Sequence, residues 1–455
     1  MSSFRYRLKA FFRGPDLVGE ARRTYRFHLA YAVLDAIAGG ILLNMTQVAM
    51  RLMAAPNWQL NLREVYAGVG MLATLYLGSW MAPRSKMPFV FVPGVLCSLA
   101  AMSMTLAMEA SFWFLTFLGV SAMFEITVRP AVAAILRLNY PAAHRGAAAG
   151  EVRRWTSLVF LASSLLCACA LDWAEARGRM EEGTQALIAC AALLSLASFI
   201  CFRMIRVRED PARQRHDVKP EIGKSFGDAV RVVVRDGRYR RYLWGCFVDG
   251  LCAALYASLI WALLYHTFQY GELEWGFVWC TIVVHSLPAL AAFVATGVLG
   301  RWFDRTNPWI AWAWIRFAWG LDALLLAVTP LVAPFVPLAI WILPVVGRML
   351  RGSVQGGQWV MWWQIGVTHF APPGEDTSRY SGMMVFLNGI TRFAGSGAAI
   401  ALAAFGVTPV TLLVVGGLGV IVAGVYSLWQ AGADRKEHQP ETIAEFEAQF
   451  EPTDP

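Results

Sequence analysis

Charged residues are scarce in this chain, so those set inside its apolar runs are where chemistry is to be sought. Asp35 and Asp249 come first. Each lies nine residues after a Tyr-Arg pair: Tyr25-Arg26 precedes Val33-Leu34-Asp35-Ala36, and Tyr239-Arg240 precedes Phe247-Val248-Asp249-Gly250. At about 1.5 Å of rise per residue, spans beginning near 27 and 241 put each carboxyl group roughly 12 Å below the membrane surface. That is close to the midplane of a hydrocarbon core about 30 Å thick. A charge there is costly, so it faces a cavity or a partner, and a carboxyl group so placed is a candidate for proton coupling or gating. The alternative is a structural ion pair that locks helices together.

The tenth apolar run carries Arg348, Arg351, Gln355 and Gln358, spaced 3, 4 and 3. On a helix these form one narrow polar stripe, which lipid cannot solvate. The stripe therefore lines water, substrate or another polar helix. Arginine forks suit carboxylates and phosphates, so an anionic substrate is one reading; pairing of Arg348 and Arg351 with acids on neighbouring spans is the other. Glu125 and Arg129, four apart in the fourth run, have the order that favours an intrahelical pair, with Pro130 next to kink the helix. Arg316 and Asp322 in the ninth run are six apart and cannot face each other, so each needs a partner elsewhere. Asn388 and Arg392 in the eleventh run, and Asn44 and Gln47 in the first, complete the candidate cavity lining. Glu125, Asp322 and Arg316 join the two aspartates as coupling or gating candidates. His28 and Tyr31 share the Asp35 face, while His266 and His285 read as packing residues.

These residues need a membrane scaffold to position them. The 455-residue chain is 57% hydrophobic and 15% charged, where a soluble domain carries roughly 25% charge. Twelve apolar runs are long enough to cross a bilayer as helices: 27–52, 63–82, 87–108, 111–136, 152–172, 185–204, 241–268, 276–299, 309–329, 336–366, 383–405 and 409–430. Such continuous runs exclude a barrel. The first run is too long for a cleavable signal and is expected to remain in place. The eight cysteines form no CxxC pair and the seven histidines are scattered, so no metal site and no cofactor is expected.

Lysine and arginine gather in the N-terminal arm (Arg5, Arg7, Lys9, Arg13, Arg22, Arg23 and Arg26) and between Arg206 and Arg241. By the positive-inside rule both termini and the central loop are cytoplasmic, and the expected location is a bacterial inner membrane. The net charge of +8 is this bias; it does not signal nucleic-acid binding. The expected organisation is a basic arm (1–26), a six-helix bundle (27–204), a basic central loop (205–240), a second six-helix bundle (241–430) and an acidic tail (431–455). Residues 4–12 suit an interfacial helix, and the acidic tail has a solvated reading and one in which it docks on the central loop.

The repeat extends beyond the aspartates. Gly78-Ser79-Trp80-Met81-Ala82 ends the second run and Gly300-Arg301-Trp302-Phe303-Asp304 the eighth. Asn139-Tyr140-Pro141 with Arg145 follows the fourth run, and Phe370-Ala371-Pro372 with Arg379 the tenth. Two six-span units in the same direction imply a pseudo-two-fold axis along the membrane normal.

With Gly300-x-x-x-Asp304-Arg305 between the eighth and ninth runs, the chain resembles the major facilitator superfamily. The first-half counterpart of that motif is degraded, with Ala82 and Pro83 where Asp and Arg would stand. The resemblance implies an all-α membrane protein of two pseudo-symmetric six-helix bundles around a central cavity, with Gly300, Asp304 and Arg305 as a cytoplasmic gate motif. The expected function is secondary active transport of a small solute by alternating access, with an organic anion and proton coupling as its sharper forms. Substrate, membrane lipids and protons are the expected partners. No P-loop is present, so no ATP hydrolysis is expected. A lipid or amphiphile exporter on the same fold, suited by 19 tryptophans, and a non-transporting receptor or assembly subunit are the alternatives. An enzyme is not expected, since no HExxH or Ser/His/Asp order occurs.

Overall fold

The computed structural model describes residues 17–81, 84–207, 227, 230–231, 233–303, 306–360 and 377–437. Among the described residues the apolar runs form twelve long helical units in chain order: α1 (Gly19–Leu52), α2 (Leu62–Met81), α3 (Pro88–Ser103), α4 (Ser111–Asn139), α5 (Ala142–Ala176), α6 (Met180–Arg203), α7 (Gly237–Tyr256), α8 (the successive segments Gly276–Thr281, Ile282–Ser286 and Leu287–Phe303), α9 (Pro308–Val332), α10 (Ala339–Val360), α11 (Thr377–Ala404) and α12 (Pro409–Glu437). Ten of the described helical segments are long and apolar enough to cross a membrane. Those ten do not include α2 or α10, which bears Arg348, Arg351 and Gln355 along its length. Large apolar side chains such as Leu166, Leu193, Val294, Val422 and Trp429 lie on the outer surface. In water this would be an unusual apolar coat, whereas lipid solvates it. The chain is an integral, multi-pass membrane protein.

Several helices depart from the apolar runs. α5 begins ten residues before its run, at Ala142, and carries Arg153 and Arg154 inside the helix. The seventh run is not one straight helix. After Tyr256 the chain makes a turn, a short helix over Leu259–Ala262 and a π-helical turn over Leu263–Thr267. A second π-helical turn, Ile282–Ser286, interrupts α8. Between α7 and α8, Gln269 and Trp275 adopt left-handed backbone (φ 56° and 64°), a conformation side chains rarely take.

The helix contacts repeat from half to half. In the first half α1 packs on α5 and α6, α2 on α4, and α3 on α4 and α6. In the second half α7 packs on α11 and α12, α8 on α10, and α9 on α10 and α12. Adding six to each label of the first set gives the second. Across the halves α2 meets α11 and α5 meets α8, and the same operation exchanges these two contacts. That is the arrangement a pseudo-two-fold axis between α2–α11 and α5–α8 requires.

Small residues let the α2–α11 backbones approach. A Cβ added at Gly68 would lie 2.7 Å from the Phe393 amide nitrogen, and one at Gly389 would lie 2.8 Å from the Leu72 nitrogen. Without a hydrophobic drive between helices in lipid, such close backbone contact is a main source of helix association.

Candidate functional site

The charged residues fall into three connected groups. The first belongs to α1 and α4. Asp35 stands midway along α1, within electrostatic range of Glu125 and Arg129. Arg129 Nη2 donates to Glu125 Oε1 at 2.6 Å, and the two side chains are 42% and 35% exposed. Among the described residues Asp35 itself has no hydrogen-bond or ion-pair partner. Glu125 also feels Arg63 and, from the other half, Arg392. These mid-helix charges therefore face the space between the halves.

The second group joins the halves. Arg63 and Glu64 open α2, behind a buried 3₁₀ turn at Asn57–Asn61. Glu64 Oε1 accepts from Arg63 Nη1 at 2.9 Å, and Glu64 Oε2 accepts from Arg392 Nη1 of α11 at 2.8 Å. Arg392 remains 36% exposed. Arg351 lies within electrostatic range of Glu64 and Asp249.

The third group is inside the second half. Arg348 grips Asp322 with both arms of its fork: Nε donates to Oδ1 at 2.9 Å, and Nη2 donates to Oδ2. Arg351 reaches the same carboxylate at 3.5 Å and lies over the Trp319 ring at 4.0 Å. Arg348 and Asp322 are fully enclosed, so Arg348 fills the role of a structural partner rather than an open cavity wall. Asp249 meets Arg316 at 3.5 Å. Arg316 also donates to Ser427 and, at 3.3 Å, to the Ala423 carbonyl. Arg316 and Asp322 thus find their partners on other helices, as their spacing demands. Breaking such a buried pair from one side costs about 3–5 kcal/mol, because the remaining charge has no solvent.

Asn44 and Gln47 do not line an open space either. Both are buried, in a ring that crosses the halves: Gln47 Nε2 donates to Asn44 Oδ1 at 2.8 Å and to Thr281 Oγ1 at 2.9 Å, and Thr281 donates to Asn44 Oδ1 at 2.6 Å. Further toward the face opposite the chain ends, Asp172 of α5 caps α8 of the other half. Its carboxylate oxygens accept from the Phe277 and Val278 amides at 3.0 and 2.9 Å. Arg51 lies over the Phe277 ring at 4.8 Å and pairs with Glu175 at 2.6 Å. The halves are sealed here by polar contacts in two layers.

Other candidates are placed as follows. Gln355 is half-buried on α10 and Asn388 is buried on α11. Gln358 is on α10 with its side chain outside the described set, and Gly300 is on α8. Asp304 and Arg305 lie outside the described residues, as do residues 4–12 and the acidic tail beyond 437. His28 pairs with the Tyr140 hydroxyl at 3.0 Å. His285, on the π turn of α8, packs between Phe160 and Trp261.

Sequence reasoning missed Arg63, Glu64, Arg51, Asp172 and Thr281. Arg63-Glu64 reads as the polar mouth of a span and Asp172 as its outer end. The available signal was that both stand beside apolar runs without the loop residues that normally separate a charge from a span.

Two bundles joined by α2–α11 and α5–α8, with charges turned toward the junction, define a membrane carrier of the alternating-access class. The Major Facilitator Superfamily profile matches residues 57–396, and the chain belongs to that family. It works by secondary active transport and is not an enzyme. Among solved structures, a mutant of the nucleoside transporter NupG superposes with a TM-score of 0.65 at 12% identity, covering 89% of this chain and 98% of that one. A peptide transporter POT mutant in complex with sulfate gives 0.60 at 14% identity, covering 90% and 94%. The E. coli fucose:proton symporter FucP mutant gives 0.56 at 13% identity, covering 90% and 99%. At these identities the likeness is one of fold. No curated protein matches the chain in sequence.

Proposed function

We propose that this transporter carries a small organic anion together with a proton. The observation that carries the reading is the junction between the halves. There Arg63 and Arg392 pair with Glu64 and Arg351 lies within electrostatic range of it, with a 3.5 Å share in Asp322; Glu125, the next acid in range of Arg63 and Arg392, is itself held by Arg129. Guanidinium groups in excess of carboxylates, partly exposed within the membrane, are a binding surface for an anion. Asp35 supports the proton. It shares Arg129 with Glu125, so two carboxyl groups face one cation, and a proton on one of them balances the charge. Neighbours of the same fold include a fucose:proton symporter and a peptide transporter complexed with sulfate, so protons and anions are both compatible with this architecture. The lysine and arginine distribution supports a cytoplasmic location for both chain ends.

Purified protein in liposomes tests the reading. Uptake of a carboxylate or phosphate ester should rise when the proton gradient runs in the direction of transport and fall when the gradient is collapsed. Uptake indifferent to the gradient removes the proton, and uptake confined to neutral or cationic solutes removes the anion.

A further inference from the structure

Glu64 is hydrogen-bonded in a way that suits a stand-in better than a scaffold. Each of its oxygens has one guanidinium, Arg63 from its own half and Arg392 from the other. None of the three side chains is fully enclosed: Arg63 is 27% exposed, Glu64 15% and Arg392 36%. The contrast is with Arg348–Asp322, whose side chains are 3% and 0% exposed.

A second observation lies beside Arg351. Tyr256 is fully buried and its hydroxyl has no hydrogen-bond partner among the described residues. The indole nitrogen of Trp319, whose ring stacks on Arg351, is likewise buried and unpartnered. Tyr256 is within electrostatic range of both Arg351 and Arg348. Buried polar groups are nearly always paired, and each exception calls for a reason: strain, a functional role, or an ordered water or ion. An indole N–H and a guanidinium only donate, and a phenol donates readily. Arg351, with Trp319 under its guanidinium and Tyr256 within electrostatic range, is thus surrounded by donors suited to an acceptor-rich, negatively charged group.

We propose that Glu64 is an internal placeholder for the anionic group of the substrate, which on arrival takes Arg392 and Arg351 with the Tyr256 hydroxyl and the Trp319 N–H, and so releases the α2–α11 bridge. The inference rests on the anion reading above and adds a residue and a sequence of events to it. The bridge Glu64–Arg392 spans the two halves, so exchange of one carboxylate for another is also the step that unties them. An empty carrier stays tied by Glu64; a loaded carrier has the anion and is free to rock. A carboxylate, phosphate or sulfonate satisfies the donors, and a neutral solute does not displace Glu64.

The test is a titration of the full-length protein and its Glu64→Gln variant with succinate, benzoate and glycerol 3-phosphate, against uridine and L-fucose as neutral controls, followed by thermal shift and tryptophan fluorescence. Glu64→Gln should bind the preferred anion about two- to fivefold more tightly, the equivalent of removing one partly exposed competing ion pair, while its turnover in liposomes falls. Glu64→Asp keeps the charge but draws it back by one methylene. It should show a smaller gain in affinity and serves if the Gln variant fails to fold. Anion binding of equal or lower affinity in the variants overturns the placeholder and leaves the anion reading standing. Binding of the neutral solutes alone overturns both.

Discussion

The Asp172 cap offers a direct measure of how firmly the halves are held at the face opposite the chain ends. Asp172→Asn keeps the side-chain shape and one acceptor oxygen, but one of the two amides at Phe277 and Val278 loses its partner and the helix start loses its negative charge. A hydrogen bond to a charged group is worth about 1.5–3 kcal/mol, and a charge at a helix N-terminus about 0.3–1 kcal/mol. The sealed arrangement should therefore weaken by about 2–3 kcal/mol, roughly a 30- to 150-fold shift in its equilibrium. Hydrogen–deuterium exchange reads this residue by residue. In the variant the Phe277 and Val278 amides should exchange faster, and so should peptides covering Asn44–Met50 and Thr281, because the ring beneath them opens with the same motion. Faster exchange confined to Phe277 and Val278 would mean that the cap orders α8 locally and does not hold the halves. Unchanged exchange at both places would refute the energetic reasoning itself.

Other substitutions probe the remaining groups. Asp35→Asn should abolish accumulation driven by a proton gradient while retaining substrate exchange across liposomes. Asp322→Asn strands Arg348 and should lower stability by about 3–5 kcal/mol, seen as a large drop in melting temperature; adding Arg348→Met should recover much of the loss. Gly389→Ala places a methyl group against the Leu72 nitrogen at 2.8 Å, so α2 and α11 must separate, and transport should fall more than stability does.

The scaffold was legible because a membrane span needs only a long apolar run, and the repeat was legible because Asp35 and Asp249 kept their distance from Tyr-Arg. The Glu125–Arg129 pair was legible for the same local reason: residues four apart meet on one helix face. Pairs that depend on how helices sit side by side were not. Nothing in the spacing of Asp322 and Arg348 identifies them as partners, since the register of α9 against α10 decides it. Arg63 and Glu64 were hidden by a different effect. The Asn57–Asn61 turn carries the start of α2 inward, so residues at a helix end lie at the junction of the halves. The π turns after α7 and within α8 were invisible, because an apolar run looks the same whether its hydrogen bonds close four or five residues back.

The two equivalent aspartates of the repeat have parted in chemistry, and the reason lies on their neighbours. Asp249 is neutralised by Arg316 from α9. The helix that corresponds to α9 in the first half is α3, whose residues Pro88–Ser103 include no charged side chain; Cys97 is the α3 group within electrostatic range of Asp35. Asp35 must therefore look to α4, where Arg129 is already held by Glu125. One half is left with a carboxyl group in excess and the junction with guanidinium groups in excess. On the proposed reading these imbalances are the two halves of one mechanism. A proton satisfies the first and an anion the second; with three guanidinium groups against Glu64 at the junction, the proton together with a dianion such as a phosphate ester leaves no uncompensated charge between the halves, whereas a monoanion leaves one positive charge. Rocking with the cavity neutral avoids dragging a bare charge through a low-dielectric barrier, so the loaded form crosses while the half-loaded form stays where it is.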